Sequence, residues 1–134
     1  MSNPTLTTIS LHKTSRTLEL GFDDGSSYHL PCEYLRVFSP SAEVKGHGHG
    51  QEVLQAGKKN VQITEINPVG NYAIQLIFDD AHKTGIYSWK YLHDLCVNKQ
   101  AYWQDYLDRL QEAGSGRDPD VTVLKFFDAP STKR

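Results

Sequence analysis

His47 and His49 stand one residue apart in Gly46-His47-Gly48-His49-Gly50, a few positions after the polar turn Ser39-Pro40-Ser41. Two imidazoles at this spacing, joined by a more distant third such as His82, make a donor set that zinc, nickel or copper accepts. The glycines argue the other way, because a chain with so little side-chain restraint holds no fixed ligand geometry. The whole stretch from Ser39 to Lys59 is glycine-rich and aperiodic, with a short turn expected within 52–57. Loops of such length in small domains are functional or mobile. Three readings follow: a metal site of His47, His49 and His82, a solvated loop, and a loop that touches a partner. The composition favours the solvated loop over the metal site.

Other chemistry leaves fewer traces. The chain has no G-x-S-x-G, no Walker A loop, no H-E-x-x-H and no C-x-x-C. The run GHGHG has glycine spacing but no P-loop lysine and no flanking strand and helix, so it is not a phosphate cradle. None of the six histidines has Asp or Glu two residues later, which removes the usual H-x-D/E half of an iron(II) oxygenase site. Asp23-Asp24 and Asp79-Asp80 read as turn residues rather than acid–base pairs. Cys32 and Cys96 are too widely spaced to be a disulfide framework. They read as small buried hydrophobes in a reducing cytoplasm. Arg36 is expected to anchor the following loop through carbonyls or carboxylates, and Lys58, Lys59 and Lys83 to be solvated. No catalytic residue and no cofactor is expected.

The chain of 134 residues is of single-domain length, and its net charge is −2 with a pI near 6.3. A non-specific nucleic-acid binder is normally basic, so that class is set aside. No apolar run approaches the ~20 residues of a membrane span. The N-terminal MSNPTLTTIS lacks the pattern of a signal peptide.

The elements that must position these residues follow from hydrophobic period. Strands are predicted over 5–11, 17–22 and 27–30, the last two joined by Asp23-Asp24-Gly25-Ser26, a hairpin signal. CEYLRVF, residues 32–38, suits one or two helical turns with Tyr34, Leu35 and Phe38 inward. Further strands are predicted over 61–66, 72–78 and 84–87, with turns at 67–71 and 79–82; Tyr72, Ile74, Leu76 and Phe78 share one face. Ser88 is suited to cap a helix starting at Trp89, and Asn98 breaks it. A second helix over 99–113 carries Tyr102, Trp103, Tyr106, Leu107 and Leu110 as an apolar stripe, closed by Gly114-Ser115-Gly116. That stripe reads as core packing, with cofactor stacking the weaker reading. Tyr87 and Trp89 read as buried against the sheet rather than as an exposed patch. Residues 121–127 read as a strand or docking peptide in a tail from Arg117 to Arg134, disordered at its end. The expected fold is α+β: an antiparallel meander with two C-terminal helices, residues 1–116 forming the domain.

The sequence FDDGSSYHLP, EYLRVFSPSAEV and VGNYAIQLIFDDAHKTGIYSWKYL, with its L-R-x-x-[CS]-P, D-x-H and Y-x-W-x-x-L signatures, resembles the gamma-butyrobetaine hydroxylase-like N-terminal domain over about residues 5 to 97. In the hydroxylases this domain precedes a catalytic oxygenase. Similar domains stand alone in bacteria or are fused to Fe–S cluster carriers in plastids. The resemblance implies a structural zinc held by three Cys and one His. Those positions are Ser39, Ser41, Val44 and His82 here. Hydroxyls and a valine do not replace thiolates, so a metal-free version of the fold is expected. Its zinc term, on the order of 10 kcal/mol in small metallo-domains, would be replaced by turn hydrogen bonds of Ser39 and Ser41, by Phe38 and Val44, and by the extra helix. The expected role is a non-catalytic binding or scaffold module for a protein partner, with Arg36, Ser39, Ser41, His47, His49 and His82 as the candidate surface. A partner in Fe–S cluster assembly, or an oxygenase on another chain, is what the resemblance implies. Neither nucleic acid nor membrane is expected, and oligomeric state is left open.

Overall fold

Leu18, Leu20 and Phe22 alternate with Thr17, Glu19 and Gly21, so a strand here must bury one face and wet the other. A computed structural model describes residues 4–41, 54–80 and 83–119, and it meets that requirement. β1 (Leu6–His12), β2 (Thr17–Phe22) and β3 (Ser27–Pro31) form a three-stranded antiparallel sheet in that order. The register sets Leu11 and Leu30 on either side of Leu18, and Ile9 and Tyr28 on either side of Leu20. Gly25 turns the second hairpin at φ 87°. The first hairpin ends on Arg16, a non-glycine residue at φ 55°. Its carbonyl accepts from Cys32 N–H at 2.8 Å, which ties this hairpin to the start of α1.

α1 (Cys32–Val37) has no side-chain N-cap, and all six of its residues are buried. The sequence pattern placed Tyr34, Leu35 and Phe38 inward and took Cys32 as a small buried hydrophobe. Glu33, Arg36 and Val37 are inside as well, while Phe38 is partly buried.

β4 (Ile63–Val69), β5 (Ala73–Phe78) and β6 (Lys83–Ser88) form a second antiparallel sheet. The expected antiparallel meander of hairpins thus forms as two sheets of an α+β fold. β4 runs on through Pro68, and the turn falls at residues 70–72 with Gly70 at φ 55°. Tyr72 consequently leaves the strand face on which Ile74, Leu76 and Phe78 are buried; it is exposed. The core joins both sheets to α1 and α2 (Trp89–Val97), through Leu18, Leu20, Leu30, Leu35, Ile74, Leu76, Tyr87, Leu92 and Leu95. Burying each such side chain is worth about 1.5–3 kcal/mol.

Ser88 caps α2 as its type predicts: its Oγ accepts from Tyr91 N–H at 3.1 Å. α3 (Lys99–Glu112) ends in a Schellman pattern. Ser115 N–H donates to Leu110 C=O, Gly114 N–H donates to Gln111 C=O, and Gly114 sits at φ 69°. Its stripe is core packing, with Tyr106 and Leu110 buried against Val37, and Phe38 and Trp103 alongside. Residues 117–119, expected to begin the tail, are tied to the body: Gly57 N–H donates to Gly116 C=O and Lys59 N–H to Arg117 C=O, both at 2.9 Å. Val44, His47, His49, His82, the 121–127 segment and most of the 39–59 loop lie outside the described residues. Residues 54–60 carry no helix or strand.

Gly85 on β6 meets the Ser-Pro-Ser turn backbone to backbone. A Cβ there would stand 2.9 Å from Ser41 N and 3.0 Å from Pro40 C. Gly85→Ala is expected to cost about 1–3 kcal/mol, as overpacking does. Gly116→Ala, which meets nothing within 4 Å, is the control. Urea unfolding of both variants checks this, and equal stabilities would contradict it.

Candidate functional site

The region around α1 gathers the charged and hydroxyl groups that the sequence made suspect. Arg36 is 5% exposed. Its Nε donates to Asp80 Oδ2 at 2.9 Å, and Lys58 Nζ donates to the same oxygen at 2.7 Å. Arg36 Nη1 has no hydrogen-bond partner among the described residues. Arg36 anchors the segment through a carboxylate, as expected. Lys58, expected to be solvated, is instead the second cation of this cluster. Asp80 is more than a turn residue.

At the other end of α1, buried Glu33 receives a bidentate contact from Arg117, with Nε and Nη2 at 2.9 and 2.8 Å. The Arg117 guanidinium also stands 5.4 Å from the centre of the Trp103 ring. Three tyrosines close the remaining polar gaps. Tyr87 OH donates to Leu35 C=O at 2.6 Å, Tyr91 OH to Phe38 C=O at 2.6 Å, and Tyr34 OH to Leu95 C=O at 2.7 Å. The first two satisfy carbonyls that the end of a short helix leaves without partners.

Ser39 is fully buried, and its Oγ accepts from Ser41 N–H at 3.2 Å. The turn is thus held by side-chain-to-backbone bonding, as the serines predict. Burial also corrects one expectation. Arg36 and Ser39 are interior groups with structural contacts, so they cannot be part of an exposed partner surface. Ser41 is partly buried; His47, His49 and His82 fall outside the described residues. The two described positions of the implied zinc set do not fit that ion. They carry hydroxyls where thiolates are needed, and the Ser39 oxygen already accepts a backbone bond.

Reactive groups elsewhere are muted. Both cysteines are free and buried. Burial pushes the Cys96 thiol up to about 12 and raises that of Cys32 as well, so neither is a ready thiolate. An open cavity of about 390 Å3 beside α2 is lined by Ser88, Lys90, Tyr91, His93, Asp94 and Val97. Its carboxylate, Asp94, accepts from Tyr102 OH at 2.9 Å and Asn98 Nδ2 at 2.8 Å, so it is tied up in joining α2 to α3.

The sequence reading missed a further group. On the outer face of the first sheet, His12 Nε2 lies 2.9 Å and His29 Nε2 lies 3.5 Å from Glu19 Oε1. Strand parity carried the signal, since each of the three is next to a residue that points into the core.

The family profile described as gamma-butyrobetaine hydroxylase-like, N-terminal, matches residues 9–93. Two NMR solution structures are similar to this chain. One is 48% identical, covering 93% of this chain and 98% of that chain with a TM-score of 0.78. The other is 49% identical, covering 96% of each chain at a TM-score of 0.77. A crystal structure of a protein of unknown function of the DUF971 family, from Acidithiobacillus ferrooxidans, is 38% identical; it covers 70% of this chain and 97% of that chain at a TM-score of 0.59. No curated protein matches the chain. No helix among the described residues is long and apolar enough to cross a membrane.

The Asp80 cluster has a pH signature. Burial, the largest single influence, pushes the Asp80 carboxyl up; Lys58 and Arg36 together outweigh it and hold the carboxyl below its ordinary range. A carboxyl depressed by folding stabilises fully above its unfolded value of about 3.9. That contribution is lost as pH falls through the folded value. Urea unfolding between neutral and acid pH should therefore show the parent losing stability below about pH 4 more steeply than Asp80→Asn. Parallel curves would contradict this.

Proposed function

The chain belongs to the gamma-butyrobetaine hydroxylase-like N-terminal family, and on that premise we propose that it works as a non-catalytic binding module for a protein partner. The observation that carries the reading is the outer face of the second sheet. Ile86 lies on β6, an edge strand among the described residues, paired with Gln75 and 49% exposed. Tyr72, in the turn at the end of that sheet, is 58% exposed. Apolar side chains left in water beside a sheet edge offer contact area, and an edge strand offers backbone hydrogen bonds, to a protein partner. The strongly bonded charges, by contrast, hold α1 in place, which supports a role without chemistry of its own. The contact surface shifts from Arg36 and Ser39 to the face carrying Ile86. A contribution from the loop bearing His47 and His49, and from His82, stays part of the reading. The family resemblance alone supports a partner of the Fe–S cluster-carrier or oxygenase class, and the two free, buried cysteines support a cytoplasmic setting.

A photo-crosslinking residue at position 86, with one at Glu112 as control, tests this. The account expects a discrete adduct from position 86 only. The purified partner should then bind saturably to the parent and at least about tenfold more weakly to Ile86→Asp. That variant should lose about 1 kcal/mol of stability, the span of strand propensity, and remain folded. Equal adducts from both positions, or unchanged binding by Ile86→Asp, would overturn the reading.

A further inference from the structure

We propose that His12, Glu19 and His29 form a surface binding site for one divalent late transition-metal ion, with zinc as the natural probe. The site comes directly from strand register. Glu19 pairs with His29 across β2 and β3, and with Ser10 across β1 and β2, leaving His12 one diagonal step away. Leu11, Leu18 and Leu30, next to the three residues in sequence, share the opposite face. Three adjacent strands therefore present three donors to the same patch of solvent. Cross-strand neighbours have Cβ atoms about 4.5–5.5 Å apart, which is the spacing that one bridging ion can span.

The donor atoms are already gathered. All three lie within 4.8 Å of one another, and the two edges to Glu19 measure 2.9 and 3.5 Å. A tetrahedral ion with bonds of about 2.0–2.1 Å needs donors about 3.3 Å apart, between those two values. Closing the histidine–histidine edge takes only side-chain rotation, and both rings are exposed enough to turn. The ring centres stand 5.7 Å apart. A carboxylate is ionised at neutral pH, as a ligand must be. Ser27 Oγ, 3.5 Å from Glu19 Oε2, steadies the other oxygen.

Two imidazoles and one carboxylate suit zinc, copper or nickel rather than magnesium or calcium, which prefer all-oxygen shells. Three protein ligands leave a coordination position open to water or to a donor from another molecule. In contrast with the glycine-flanked His47 and His49, these donors sit on paired strands whose backbone is fixed before any ion arrives.

The test uses tag-free, chelator-treated full-length chain titrated with zinc chloride, followed by calorimetry and by the histidine-ring NMR resonances. The expected result is saturable one-to-one binding, with the His12 and His29 rings shifting together and magnesium producing no shift. Glu19→Gln and His29→Ala should each weaken binding at least about tenfold. Zinc that moves neither ring in the parent overturns the proposal, as does half-saturation weaker than about 1 mM. Parent-like affinity in both variants also overturns it, because the ion would then sit elsewhere, for example on His47 and His49. The ring shifts are read on the parent protein, so poor folding of a variant cannot rescue or sink the result.

Discussion

The complete burial of α1 is the constraint on which the rest of the structure depends. A six-residue helix contributes little stability of its own, and this one carries Glu33 and Arg36 into the interior. A buried charge costs several kcal/mol unless it is paired and hydrogen-bonded. Each charge is accordingly met by a partner from far along the chain: Asp80 for Arg36 and Arg117 for Glu33. These pairs bring the turn after β5 and the chain after α3 onto the same short helix. The hydroxyls of Tyr87 and Tyr91 do the same for the carbonyls of Leu35 and Phe38. The layout of both sheets around α1 follows from satisfying that one segment.

The same logic explains how the turn after α1 is held where the family pattern implies thiolates. Ser39 is buried and bonded to the Ser41 backbone, and the turn lies against Gly85 with no room for a side chain. Phe38 packs its ring against Tyr34, Tyr102 and Tyr106 at centroid distances of 5.2, 5.8 and 6.3 Å. Two of those three rings come from α3, which lies beyond the matched residues 9–93. The extra helix is thus a working part of the packing rather than an appendage.

Elements with strong period were legible from sequence. The Asp-Gly hairpin, the Ser88 cap, the α3 stripe and its glycine-rich stop all depend on interactions within a few residues, so local pattern reports them. The family was legible too, from the L-R-x-x-[CS]-P, D-x-H and Y-x-W-x-x-L motifs. What local pattern could not report was pairing at a distance. Nothing near Asp80 in sequence announces Arg36, and nothing near Glu33 announces Arg117. Lys58 looked solvated because its partner lies 22 residues away. The split into two sheets was hidden for the same reason, since a meander of hairpins and two meanders share one alternating pattern. Tyr72 was misplaced by parity, because β4 continues through a proline that reads as a turn. The His12–Glu19–His29 group needed register, which period alone does not supply.

The central claim is that the Arg36 charge is held inside by Asp80. A double-mutant cycle of Arg36→Met and Asp80→Leu, measured by urea unfolding, tests it most directly. The account predicts that the double variant is more stable than the sum of the two single losses allows, with a coupling of at least about 1 kcal/mol, because Asp80→Leu alone strands the buried Arg36 charge, whereas Arg36→Met alone leaves Asp80 with Lys58. Losses that add within about 0.3–0.5 kcal/mol would contradict it.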